Sequence, residues 1–363
     1  PTKDPQGWGL KRQEIALHEG VNVIQVNKAG NVYVDYFADD PETAPEVTIH
    51  FVTGKVNGYF DAAVHNDEDW NRLLDNAVSP IMDVKTKYMQ LAYPVEFLKK
   101  FTYGQGLKLA GDYDRIMELQ YRFSGALKYN RVPGKRILAR VNYNYFMFRD
   151  GDGVAFLGNE GTMRSAVGPD ISKDWGVNHE IGHVMQMSPQ LTWGGMTEVS
   201  NNLFTMYVTT SLGSPSRLAK GGNYEAAFKK VLDAPEKPFI LCVGDPFEKL
   251  VPFWQLQVYF DSIGYKDFYA DVMEYMRTHP HKGTGNASVN NMYEFIKICC
   301  DLTKTDLTDF FEAWGFFVTG KFEVGDYSNY VFDVTPEMVE ETRKYVVSKN
   351  YPKPEGDITR LTD

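Results

Sequence analysis

The chain has 363 residues, of which 43% are hydrophobic and 24% charged, and a net charge of −10. That length suits one large domain or two modest ones, and the acidic balance argues against a nucleic-acid partner, since phosphate recognition needs a basic face. No run approaches a membrane span, and three cysteines (Cys242, Cys299 and Cys300) fit buried free thiols better than a disulfide framework or a zinc ribbon.

The first part reads as β. VNVIQV (21–26), NVYVDYFA (31–38) and EVTIHFVTG (46–54) are rich in β-branched and aromatic residues and are separated by turn residues, with NGYFDAAVH (57–65) as a candidate fourth strand. NDEDWNRLLDNAV (66–78) then opens with an Asn/Asp cap and an acidic first turn, and sets Trp70, Leu73, Leu74 and Val78 on one side of a helix. KYMQLAYP (87–94) reads as a strand, Asp112 to Phe123 as a helix and RILARVNYNYFMF (136–148) as a strand. The DGDG at 150–153 reads as a solvated hairpin tip rather than a calcium loop. From residue 173 onward helices dominate, with candidates at 173–187, 196–211, 222–232, 246–262, 266–277, 289–300 and 305–314. A strand at 321–334 and an amphipathic helix at 335–347 finish the chain. The class is α+β, with a β-rich N-terminal part and a mainly helical second half.

One helix carries an unusual pattern. His179 and His183 are four apart, so both imidazoles project from one face and can reach one zinc ion. Glu180 between them is placed to take a proton from an activated water, the H-E-x-x-H logic of zinc hydrolases. Chance alone produces this pattern in roughly one chain in a hundred of this length, so context decides. Trp175, Ile181, Val184 and Met185 supply packing positions. Gly182 costs up to ~1 kcal/mol in a helix interior relative to Ala, which makes sense if another backbone or the substrate must come close.

A catalytic zinc usually has three protein ligands and one open position. A metzincin would need Gly at 186 and His at 189, which are Gln186 and Pro189 here. The remaining option is a carboxylate from the next helix. Pro189, Gly194 and Gly195 break the chain, MTEVSNNLFTMYV restarts a helix, and Glu198 borders the apolar stripe of Met196, Val199, Leu203 and Met206. An acid beside a buried stripe is costly unless paired or metal-bound. Glu198 is therefore the expected third ligand. Asn202 and Asn201 are candidates to hold the imidazoles by their other ring nitrogen, or else to face solvent.

H-E-I-G-H-V-M-Q followed by W-G-G-M-T-E-V-S-N-N-L resembles the enhancin-like family of zinc metallopeptidases, gluzincins that include baculovirus enhancins and mucin-degrading enzymes of gut bacteria. The matching positions are His179, Glu180, Gly182, His183, Gln186, Glu198, Asn201 and Asn202. PFWQLQVYF (252–260) and DLTDFFEAWGF (306–316) also look like family segments. The resemblance implies a β-rich subdomain over 1–68 and a zinc metallopeptidase domain of gluzincin (zincin) type over 69–363. It further implies one Zn2+ per chain and endopeptidase action on O-glycosylated, mucin-type protein. Family members are secreted or attached to the cell surface. No signal peptide is visible. The chain begins at Pro1 rather than Met, from which we expect a trimmed N-terminus, so the lack of a leader is uninformative.

Two alternatives stay open. A zinc aminopeptidase would carry a G-x-M-E-N stretch, whereas GTMR (161–164) lacks the acid. A non-catalytic mucin- or carbohydrate-binding module with structural zinc would fill all four metal positions and has no use for Glu180. Trp193, in the loop between the ligands, either stacks on substrate or closes the core. Trp254 and Tyr259 line the cleft or, more simply, belong to the core. His279 and His281 read as a solvated loop, and His18, His50 and His65 receive no role. An oxyanion donor, often Tyr, His or Arg, is needed but not identified.

Overall fold

The computed structural model describes residues 13–26, 30–36, 38–40, 42–234, 238–280 and 287–363. The fold is α+β and divides into two compact units, Pro1–Asp114 with Lys135–Ile171, and Arg115–Gly134 with Ser172–Asp363.

The first unit is built on a six-stranded mixed sheet. Its strands are β1 (Phe60–Asp61), β2 (Ile81–Lys85), β3 (Met89–Pro94), β4 (Ile137–Asn142), β5 (Met147–Asp150) and β6 (Gly153–Leu157), in the order β1-β2-β3-β4-β6-β5. β3, β4 and β6 pair in parallel, while β2 and β5 run antiparallel to their neighbours β3 and β6. Both faces of the central strands are covered, so β2 and β6 lack the polar alternation of a half-solvated strand. That is why neither is evident in the sequence. Helix α1 (Asp67–Asp75) starts at the expected place: the Asn66 side chain accepts from Glu68 N and Asp69 N, and Asp69 accepts from Asn66 N. It buries Trp70 and Leu74, while Val78 lies beyond its end and is exposed. α2 (Val95–Thr102) and α4 (Glu160–Val167) complete this unit, and α3 (Gly106–Phe123) supplies residues to both units. The DGDG segment forms the β5–β6 turn, as expected.

The expected N-terminal strands are corrected. Among the described residues, 21–26, 31–36 and 46–54 are irregular, and the first strand is the two-residue β1. Val21, Val23 and Val52 are almost fully exposed. β-branched residues favour a strand only where a neighbouring strand and a packed face receive them.

The second unit is mainly helical. α5 (Trp175–Met185) and α6 (Thr197–Ser211) pack against each other, helix Pro246–Ser262 packs on α6, and Phe268–Thr278, Ala287–Thr303 and Pro336–Ser348 follow in succession, each packed on the one before. Its core is aromatic: Phe239 stacks on Phe316 at 4.9 Å, and Phe253 packs against Phe295, Phe316 and Trp193. Trp314 is buried with its indole N–H on Gln255 Oε1 at 3.0 Å, as a buried indole requires. Cys299 and Cys300 are buried free thiols, as read from the sequence. The expected strand over 321–334 is instead a hairpin, β7 (Gly320–Asp326) and β8 (Ser328–Val334), with Tyr327 alone at its tip. The expected helix at 222–232 is α-helical only to Ala227 and closes with a π turn.

Candidate metal centre

α5 begins where Asp174 caps it, its side chain accepting from Val177 N. Its spacing brings His179 and His183 onto one face, with ring centroids 4.8 Å apart. The chain then turns through residues 186–196 and returns as α6. Gly195 has φ +85°, a conformation that favours glycine. The two helices approach so closely at Gly182 that a methyl there would lie 2.6 Å from the Asn201 carbonyl oxygen. The mid-helix glycine thus permits backbone contact, as its cost led us to expect.

That contact brings Glu198 to the imidazoles. Its Oε2 lies 3.0 Å from His179 Nε2 and 3.3 Å from His183 Nε2. Among the described residues, these three side chains form the one group with metal-binding potential, their ligand atoms within 4.8 Å of one another. The other ring nitrogens are engaged. His179 Nδ1 is 2.8 Å from Asn202 Oδ1, and His183 Nδ1 is 2.9 Å from Gln186 Oε1. An amide oxygen only accepts, so each imidazole carries a proton on Nδ1 and directs Nε2 at Glu198. Two nitrogen lone pairs and a carboxylate oxygen converging on one point fit a divalent cation. Burial works to lower His179, but its hydrogen bonds to Glu198 and Asn202 and the charges of Glu180 and Glu198 raise it. Burial likewise pushes Glu198 up, and the bonds from His179, His183 and Tyr327 hold it well below the usual carboxylate range. Glu180 is buried beside them, and desolvation raises its pKa.

Asn201 sits against the same rings. Its Nδ2 is 3.0 Å from His183 Nε2 and 3.1 Å from both nitrogens of His179, while its buried Oδ1 has no hydrogen-bond partner among the described residues. Gln186 locks the two helices together, since its Nε2 also donates to Thr197 O and Ser200 Oγ, each at 2.7 Å. Its signal in the sequence was the family motif, in which Gln186 follows His183 by three residues, and it stands just past the end of α5.

Two residues from the β7–β8 hairpin had no such signal. Tyr327 donates its hydroxyl to Glu198 Oε1 at 2.7 Å, and that bond, with partial desolvation of the hydroxyl, pushes the phenol up to about 12. Asp326 Oδ2 accepts from Gly195 N, Thr197 N and Thr197 Oγ1 at 2.9, 3.1 and 2.7 Å, closing the N-terminus of α6. The buried Lys249 lies within electrostatic reach of Asp326.

The remaining candidates are placed elsewhere. Trp193 is 2% exposed and packs between Phe253 and Phe295, so it closes the core and offers no stacking surface. Trp254 is buried with its indole N–H on Asp363 Oδ2, and Tyr259 is buried with its hydroxyl accepting from Glu355 N. Both are core residues. His279 is exposed and stacks on Tyr275, whereas His281 lies outside the described residues. His18 and His50 are exposed, and His65 accepts from Asp61 N. Among the described residues no helix is long and apolar enough to cross a membrane.

Comparison with known proteins supplies a family. The profile of Peptidase M60, enhancin and enhancin-like, matches residues 55–315. A human protein, TRPM8 channel-associated factor 2, is 26% identical over 276 residues, covering 71% of this chain and 27% of its own. A solved metallopeptidase from Bacteroides thetaiotaomicron superposes with a TM-score of 0.73 at 23% identity, over 86% of this chain and 53% of that one. A metallopeptidase in complex with Tn antigen gives 0.75 at 23% identity, covering 86% and 59%. The catalytic domain of ZmpC from Clostridium perfringens, in complex with the sialyl T antigen, gives 0.62 at 19% identity, covering 83% and 57%. The chain therefore spans about a quarter of the human relative and somewhat over half of each solved chain.

Proposed function

The chain belongs to the peptidase M60, enhancin and enhancin-like family, and from that premise we propose that it is a secreted or cell-surface zinc endopeptidase acting on O-glycosylated, mucin-type protein. Its fold and family are those of a metallopeptidase. The observation that carries the reading is the convergence of His179 Nε2, His183 Nε2 and Glu198 Oε2 beside a buried Glu180. His179, His183 and Glu198 would hold one zinc ion. When bound, zinc brings the pKa of a water to about 7 and polarises the scissile carbonyl.

The protein's own residues do the rest. Glu180, with its pKa raised by burial, takes a proton from the attacking water and delivers it to the departing amine nitrogen. Asn202 and Gln186 fix the ring orientations, and a ligand shell so held keeps its geometry through turnover. Glu198 is about one-third exposed, which leaves a side open to substrate. Three candidate ligands rather than four also support a catalytic over a purely structural metal. The glycan part of the reading is supported by two solved relatives, bound to Tn and sialyl T antigens.

The test is metal removal and return. Chelation should abolish cleavage of an O-glycosylated peptide, and one equivalent of zinc should restore it in the wild type but not in Glu198→Ala. Cleavage that survives full metal depletion would contradict the proposal.

A further inference from the structure

We propose that Tyr327 is a catalytic residue: its hydroxyl turns from Glu198 to the scissile carbonyl oxygen and donates a hydrogen bond to the charge that develops there. This rests on the peptidase reading above and supplies the oxyanion donor that such a reaction needs.

Four observations carry it. The hydroxyl bonds Oε1 of Glu198, while Oε2 faces the imidazoles. The oxygen that would bind a cation is thus not the one that Tyr327 bonds. Tyr327 is 85% exposed, so substrate reaches it without displacing core. Tyr327 is the single residue at the hairpin tip, with φ +56°, a region that bulky residues avoid. Such a conformation persists where surrounding structure imposes it, and it clusters at functional sites. Here the imposing group is its neighbour Asp326, bonded three times to the N-terminus of the helix that carries Glu198. Phenol and ligand are thus registered to each other through the backbone. A tyrosine serving only to fill surface needs neither the strained tip nor the anchor.

The chemistry balances without a further reagent. Water oxygen adds to the carbonyl carbon, and the carbonyl π pair moves onto oxygen. Tyr327 stabilises that oxygen by hydrogen bonding and keeps its proton. The pair then re-forms the carbonyl as the C–N bond breaks, and the amine leaves with the proton that Glu180 took from the water.

The experiment is Tyr327→Phe, which keeps the ring and removes the hydroxyl. On an O-glycosylated peptide that wild type cleaves, kcat should fall about 10²- to 10³-fold while KM changes less than about threefold. Zinc affinity, read by chelator competition without substrate, should stay within about threefold of wild type. A phosphinic peptide, which mimics the tetrahedral centre, should lose affinity in proportion to the lost kcat/KM. Unchanged kcat would overturn the assignment. So would a fall in zinc affinity of about 10- to 100-fold with full activity returning at saturating zinc, because Tyr327 would then only hold Glu198. A wild type that cleaves no glycopeptide contradicts the peptidase reading, and the Tyr327 role falls with it.

Discussion

Replacing Gly182 by alanine sets two effects of opposite sign against each other. In an isolated helix the change is favourable by about 1 kcal/mol. Here the new methyl would lie 2.6 Å from Asn201 O, 3.3 Å from its carbonyl carbon and 3.4 Å from its Cα. All three atoms are backbone of α6, so no rotamer relieves the clash. Moving the oxygen from 2.6 Å to the 3.4 Å of ordinary contact parts the helices locally by about 0.8 Å. Overpacking of this kind costs about 1–3 kcal/mol, so the net change lies between neutral and about 2 kcal/mol destabilising. The metal centre is less forgiving, because ligand distances hold within about 0.2 Å. We expect zinc affinity to fall at least about tenfold, with a melting temperature lowered by up to about 3 °C. Chelator competition and thermal denaturation with and without zinc measure both. A Gly182→Ala protein that melts higher than wild type and binds zinc equally well would refute the reasoning.

Three further outcomes follow from the same contacts. Asn202→Ala and Gln186→Ala each release one imidazole Nδ1, and each should weaken zinc binding about 10- to 100-fold in chelator competition; unchanged affinity would mean that other groups fix the rings. Asp326→Ala strips three hydrogen bonds from the start of α6 and should cost about 2–3 kcal/mol in denaturant titration, whereas a loss under about 0.5 kcal/mol would show the hairpin anchor to be dispensable. Asp271 is pushed up by burial, but Lys128, Tyr265 and Tyr129 all bond it and hold it below its ordinary value of 3.8. A lowered folded pKa gives stability that is complete above the unfolded pKa and is lost as pH falls through the folded one. The stability gap between wild type and Asp271→Asn should therefore be wide at about pH 6 and narrow as pH falls below the ordinary 3.8 and through the folded pKa; a gap independent of pH would contradict the ion-paired assignment.

The metal helix was legible because its information is local. A four-residue spacing fixes a shared face, and Pro189, Gly194 and Gly195 mark the return to Glu198. Asn202 and Gln186 lie within the same short stretch and inherit that legibility. Tyr327 and Asp326 do not, since each reaches its partner across 129 residues and gave no pattern beyond a strand. The hairpin was hidden because its turn is a single residue in a left-handed conformation, without the glycine that usually marks one. Burial explains the other misreadings. β2 and β6 are covered on both faces and show no alternation, whereas 21–26 and 46–54 have β-favouring residues and no sheet to receive them. Trp193 is a similar case: its place between His183 and Glu198 puts it near the candidate centre in sequence, but its ring turns into the aromatic core.

The most direct test of the central claim is mass spectrometry of mucin-type glycopeptides and their bare counterparts after incubation with wild type and with Glu180→Gln. Both proteins should carry one zinc per chain, wild type should cut the glycosylated peptides, and the variant should cut none. Equal cleavage by the two proteins, or none by a zinc-loaded wild type, would contradict it.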